Sequence, residues 1–297
     1  MIQVRWPPVR FVDSHMHLWH LTEHKWYPAL DPPEDSDDFG IGDMAGLRRD
    51  YLPEHYLADA AGSGLDVVKA VHVSAVTAPG THLDEARWLD RVATEHGLVG
   101  AVIGAVEPGA DAETVAADLA EQAKSPLFRG IRVLYGFDPA DPVTRRLAEL
   151  LDAGGHVFDV VIHPGEVDGW LPLLRDFPGL AVVLEHAGWP DGGDPDQFTA
   201  WRDGLTRLAS LANVDCKISG LPMSLHTLDA GTLRPWIQAC LEVFGVDRSF
   251  FGSNFPVDSL FGGYDRVAEA YLGATGDLTA AERDRVFAAN AERRYRI

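Results

Sequence analysis

The chain has 297 residues, 46% of them hydrophobic and 24% charged, a composition that supplies a globular core of ordinary size. Its 45 acidic against 25 basic residues give a formal net charge of −20. That excess argues against nucleic acid and anionic membrane surfaces as partners, since both need clustered Lys and Arg.

Met1 to Pro8 lack the continuous apolar stretch of a secretory leader. No run approaches the roughly 20 apolar residues of a membrane span. The expectation is a soluble, cytoplasmic protein. An apolar strand from Val9 to Val12 then leads into Asp13-Ser14-His15-Met16-His17. Side chains in a strand alternate faces, so His15 and His17 point the same way. Two such imidazoles can share one divalent metal, or bind a substrate through hydrogen bonds. The segment Trp19 to Tyr51 follows, rich in Pro, Asp, Trp and Tyr, where Pro28, Pro32 and Pro33 deny a helix. Connections of this length are usually functional covers. Trp26, Tyr27 and Leu30 are too apolar for a solvated loop and are expected to pack over the mouth of the fold, whereas Asp31 to Asp38 reads as a solvated acidic run.

From Pro53 a unit repeats. A helix over Glu54 to Ala61 is ended by Gly62 and Gly64. Strands are predicted at Val67 to Val73, Leu98 to Val106, Phe128 to Leu134, Phe158 to Ile162, Leu180 to Leu184, Val214 to Ile218 and Ser249 to Gly252. Helices are predicted between and after them, at Leu83 to His96, Ala112 to Ala123, Pro142 to Leu151, Trp170 to Arg175, Gln197 to Leu211, Thr232 to Phe244, Tyr264 to Leu272 and Thr279 to Arg294. Cys216 falls in an apolar run as a small buried hydrophobe, and two cysteines make no disulfide framework here. Short apolar strands alternating with helices belong in a parallel sheet. Eight such pairs fit a single-domain (β/α)₈ barrel over residues 1–297, with the loop 19–51 covering its mouth. A doubly wound nucleotide fold would want a glycine-rich turn where this chain has Ser14-His15-Met16-His17.

In such barrels the chemistry sits at the C-terminal ends of the strands. Those ends carry His15 and His17, His72, Glu107, Arg132, His163, His186, Ser219 and Asn254. His72, between Val71 and Val73, reads equally as a core histidine or a substrate contact. Arg132 offers a planar fork that grips a carboxylate, which would suit an anionic small-molecule substrate; an ion pair to Glu107 or Asp13 is the competing reading. Trp189 can wall a pocket.

The segments Val12 to Trp19, Val71 to Ala75, Arg129 to Arg132, Glu185 to Pro190, Lys217 to Leu221, Phe251 to Pro256 and Asn290 to Tyr295 resemble the amidohydrolase superfamily, in particular the amidohydrolase-2 branch that contains sugar lactonases and pyrone-dicarboxylate lactonase. The resemblance implies hydrolysis of a small ester, lactone or amide. It implies that His15, His17 and His163 hold a divalent ion in metal-using relatives, with His186 orienting the attacking water or polarising the carbonyl. Some lactonases of the branch work without a metal. The chain departs from the pattern at the eighth strand, where Asn254 replaces the usual aspartate. A neutral amide is a poor metal ligand and no base. One divalent ion, zinc by expectation, should therefore be weakly held or absent, and Asp258 or His186 should take the proton. No Lys in Gly130 to Leu134 can carry a bridging carbamate.

The sequence thus predicts a lactone hydrolase, with two rivals: a decarboxylase of the same superfamily branch, and a non-hydrolytic relative that Asn254 would mark. A homo-oligomer is compatible with everything above.

Overall fold

Eight parallel strands form one sheet in the order β1 to β8: Val9–Met16, Leu65–Val73, Val99–Ala105, Phe128–Val133, Val157–Val160, Ala181–Leu184, Val214–Ile218 and Ser249–Phe251. The computed structural model describes residues 8–31 and 40–297. The sheet curls into a barrel, and β8 meets β1 through backbone bonds just beyond the strand ends. His17 N–H donates to the Phe255 carbonyl (2.8 Å) and Asn254 N–H donates to that of His15 (2.8 Å). The seam that closes the barrel therefore sets Asn254 beside the two histidines of β1.

Val12, Val71, Val73, Ala101, Ile103, Val157, Val183 and Phe250 come from strands all around the sheet yet pack in one cluster. Only the barrel interior allows that. Their alternating neighbours, such as Phe11, Ala70, Val102 and Phe158, join the larger cluster beneath the surrounding helices. Those helices are α1 to α6 at Pro53–Ala60, His82–His96, Ala112–Gln122, Pro142–Gly154, Val167–Asp176 and Pro195–Ala209. They continue with α7 to α9 at Leu221–Leu225, Ala230–Phe244 and Tyr264–Ala274. Asp111, Asp141, Asp194 and Asp229 cap four of them by accepting backbone N–H bonds in the first turn.

The expected eight-stranded barrel is what the chain forms, with strand ends within a few residues of those predicted. The last helix differs. It is broken into α10 (Ala280–Asp284), a π turn (Arg285–Ala289) and α11 (Asn290–Tyr295). The extra residue of the π turn lets Val286, Phe287 and Ala288 all be buried, with Phe287 against Phe251 (ring centroids 4.8 Å) and Phe11 (6.1 Å). Helix α7 has no periodic signal and was not anticipated. No helix among the described residues is long and apolar enough to cross a membrane. Of the acidic run Asp31 to Asp38, all but Asp31 lies outside the described residues.

Candidate active site

The register of β1 against β2 slips between Asp13 and Met16, where the strand runs out into its two histidines. Asp13 is held beneath them, accepting from the backbone N–H of His15 (3.2 Å) and Ser253 (2.8 Å) and from the Tyr56 hydroxyl (2.7 Å). His17 Nδ1 lies 2.8 Å from the Val73 carbonyl, so it carries the proton and leaves Nε2 as an acceptor. That nitrogen is 3.1 Å from His15 Nε2. His15 Nδ1 is buried with no hydrogen-bond partner among the described residues and lies 4.0 Å from Glu185 Oε2. The His186 ring stacks obliquely on His15 at 4.5 Å.

Glu185 is the centre of charge, and the sequence reading passed it over. Fully buried, it receives Arg132 edge to edge and approaches His186 Nε2 (3.0 Å) and Lys217 Nζ (3.9 Å). Burial alone would raise its carboxyl; Arg132 first, then His186, His15 and Lys217, hold it well below the usual range. Lys217 in turn donates to Asp159 (2.6 Å), which also accepts from Tyr295 (3.0 Å) at the end of α11. Burial lifts Asp159 to about 7 against the pull of Lys217. This column of charge runs down the barrel axis. The expected Arg132 partners, Glu107 and Asp13, are not the ones it takes, and its fork is turned toward Glu185 rather than toward a ligand.

Burial also lowers the pKa of His15 and His17 well below 6.5 and that of His186 below it, so all three imidazoles are neutral at neutral pH. His186 follows β6 in a left-handed backbone (φ 51°, ψ 38°), a conformation that costs a non-glycine residue about 1–2 kcal/mol. Its Nδ1 is 3.0 Å from Ser219 Oγ. Gly220 leaves the room: a Cβ there would stand 2.4 Å from that same Nδ1. Asn254, also left-handed (φ 55°), donates from Nδ2 to Asp258 Oδ1 (2.9 Å), which leaves its carbonyl oxygen for a ligand.

Above these groups lies a cavity of about 400 Å³, lined by His17, Arg132, His163, His186, Trp189 and Asn254. Trp19, Tyr27, Leu30, Met44 and Leu47 of the long loop line it too, with Met223 of α7. His163 lines the cavity at its rim, its side chain 38% exposed, with Nδ1 3.1 Å from Asp191 Oδ1 and apart from the His15–His186 cluster. Two expected site residues fall off the cavity. His72 is buried behind His17, its Nε2 3.3 Å from the Leu18 carbonyl, and does not line the cavity. Asp258 is buried behind Asn254, off the cavity, and burial pushes its carboxyl well up.

A family profile described as amidohydrolase matches residues 12–297. The chain belongs to the amidohydrolase family. Within its amidohydrolase-2 branch, it is similar to the L-fucono-1,5-lactonase of Burkholderia ambifaria, 30% identical over 96% of this chain and 95% of that one. It is 34% identical to an uncharacterized protein, y4mH, of Sinorhizobium fredii, over 97% and 99%. A crystallised amidohydrolase of Burkholderia multivorans with bound zinc superposes with a TM-score of 0.79 at 28% identity, covering 97% of this chain and 100% of that one. The protein is an enzyme of the hydrolase type.

Amidohydrolases commonly carry a divalent metal. Here His15, Glu185 and His186 bring donor atoms within 4.8 Å of one another, two neutral imidazoles and a carboxylate, which is a chemically reasonable set. The set is not free, however. Arg132 Nη2 stands 2.5 Å from Glu185 Oε1 and 3.4 Å from His186 Nε2. A dication among these atoms would face a guanidinium at close range, with the carboxylate charge already neutralised. His163 is not within this group, and Asn254 adds no charge. As arranged, the residues fit a tightly held ion poorly.

Proposed function

We propose that this amidohydrolase opens a small, neutral lactone at the mouth of the barrel, its own side chains carrying the proton and the charge. The observation that carries the reading is a neutral His186 on the cavity floor with ionised Glu185 3.0 Å from its Nε2. Water attacks the lactone carbonyl and His186 takes its proton at Nδ1, the nitrogen left basic while Nε2–H faces Glu185, as the Ser219 hydroxyl 3.0 Å away gives up its hydrogen bond there. The imidazolium that forms is stabilised in place by Glu185. The proton passes to the ring oxygen as the acyl C–O bond breaks, giving the hydroxy acid. Arg132 keeps one N–H edge beyond Glu185 and Ser74, and with the Asn254 region it supplies polarity around the carbonyl oxygen as negative charge develops there. The loop residues Trp19, Tyr27 and Leu30 exclude bulk water, which strengthens each of these interactions. Likeness to the fuconolactonase of B. ambifaria supports a sugar-derived 1,5-lactone as the class.

The test is a panel of aldono-1,5- and 1,4-lactones followed by acid release, run with and without a chelator, beside a set of aromatic carboxylates followed for carbon dioxide. The expected result is acid release that survives chelation, lost by about 10²–10⁴-fold in His186→Asn. No lactone turned over above its spontaneous rate, or carbon dioxide released instead, overturns the reading.

A further inference from the structure

Beside the catalytic cavity lies a second one of about 350 Å³, over the ends of β2, β3 and β4. The two share Ala75, Val76, Arg132, Leu134 and Tyr135 as a common wall. Each alone falls in the ~300–1,000 Å³ range of ligand sites, so a single lactone ring does not need both. The second cavity has rigid apolar walls, Pro28, Pro79 and Pro108, with two aromatic rings, Tyr135 and Phe137. Glu107 also lines it, and its carboxylate makes no hydrogen bond or ion pair among the described residues. His82 faces in but is paired with Asp118 at 2.8 Å. The one full cation among the described lining residues, Arg132, is neutralised by Glu185.

We propose that this second cavity is a subsite for a neutral, polyhydroxylated ring carried on the lactone, so that the preferred substrate is larger than a single sugar lactone. The inference rests on the lactonase reading above. Aromatic faces beside an acceptor-only carboxylate suit a ring that is apolar on its flat side and rich in O–H donors at its edge. An anionic substituent would meet Glu107 with no free cation to offset it. The shared wall at Arg132 lets one molecule place its carbonyl over His186 and its second ring beside Phe137 without leaving the protein.

The experiment takes the best monosaccharide lactone of the panel and compares it with its β-glucosyl derivatives, one at each free hydroxyl, and with the matching β-glucuronosyl derivatives. One glucosyl regioisomer should show kcat/KM at least tenfold above the bare lactone, and its glucuronosyl counterpart should lose that gain. Thr77→Trp fills the second cavity without lining the first, and Phe137→Ala removes an aromatic wall. Each should lower the ratio of glucosylated to bare kcat/KM about tenfold. If the bare lactone is turned over but no glucosylated form exceeds it, or the variants leave the ratio unchanged, the subsite is overturned and the lactonase reading stands. Turnover of neither class overturns both.

Discussion

Arg132 and Glu185 meet edge to edge inside the barrel, Nη2 to Oε1 at 2.5 Å and Nε to Oε1 and Oε2 at 3.0 and 3.2 Å. The pair comes from β4 and the turn after β6, so it ties strands that are not neighbours across the floor of the site. Removing one partner of a buried pair leaves an uncompensated charge and typically costs 3–5 kcal/mol. Glu185→Gln should therefore lower stability toward denaturant by about that much. Arg132→Lys keeps the charge but loses the fork. Its melting temperature should fall less than that of Glu185→Gln, while kcat drops because His186 and Glu185 lose their common anchor. A Glu185→Gln variant as stable as wild type would remove the pair from any structural role.

Gly220 provides a second handle on His186. Its backbone is left-handed (φ 61°), and a Cβ would come within 2.4 Å of the imidazole. Gly220→Ala should shift the ring and lower kcat by about 10²-fold, the usual effect of misplacing a catalytic group by ~1 Å. The readout is kcat together with the melting temperature: a fall in kcat with an intact fold supports the positioning role, and unchanged kcat refutes it.

Much of this site was legible in the sequence. The β-branched runs gave away the strands, and their ends gave His17, His186 and Asn254. Other parts were hidden for physical reasons. Asp159 and Lys217 lie within β5 and β7, and their partnership depends on which inward positions share a level around the barrel, which composition does not reveal. Glu185 was visible only as half of a motif, because its value comes from Arg132 reaching across. His163 and His186 carry the same apparent signal. Yet β5 stops at Val160, three residues before His163, whereas β6 runs to Leu184 and turns sharply into His186. The one lands at the rim and the other on the floor. Helix α7, which brings Met223 to the cavity, is too short to show a periodicity.

His72 predicts how stability should depend on pH. Burial lowers its pKa from 6.5 to about 3. Below 6.5 the unfolded chain takes up a proton that the folded one refuses, so the contribution is complete above pH 6.5 and is lost progressively down to about 3. At pH 5 the loss is about 2 kcal/mol from this group alone. Glu85 and Asp159, both raised to about 7, act in the opposite sense, gaining stability as pH falls. The informative quantity is thus a difference. His72→Asn should destabilise at pH 7.5, and the gap to wild type should narrow by about 2 kcal/mol at pH 5. A gap independent of pH would mean that His72 does not titrate this way.

Asn254 and Asp258 decide how the site treats a metal. Asn254 Nδ2 donates to Asp258 Oδ1 at 2.9 Å, and burial keeps Asp258 toward its protonated form. Asp258 lines no part of the cavity, so its neutral isostere in Asp258→Asn should leave turnover within about twofold of wild type and retain the fold. Asn254→Asp is a different change. It puts two carboxyls within hydrogen-bond distance, which share one proton at neutral pH and present a single negative charge next to His15 and His17. A dication then finds an anionic ligand beside two neutral imidazoles, an arrangement that the wild type offers only at Glu185, where Arg132 already holds the carboxylate. Wild-type protein dialysed against chelator and then against zinc should hold well under one equivalent, and Asn254→Asp should hold close to one, both measured by elemental analysis. Lactone hydrolysis by the wild type should be unchanged by the chelator. The zinc-loaded variant should show its acid limb moved to higher pH, because a metal-bound water that loses its proton near pH ~7 replaces His186, whose pKa burial lowers, as the group that sets the limb. A full equivalent of tightly held zinc in the wild type would show that Arg132 yields Glu185 to the ion, and the metal-independent account of His186 would fall with it.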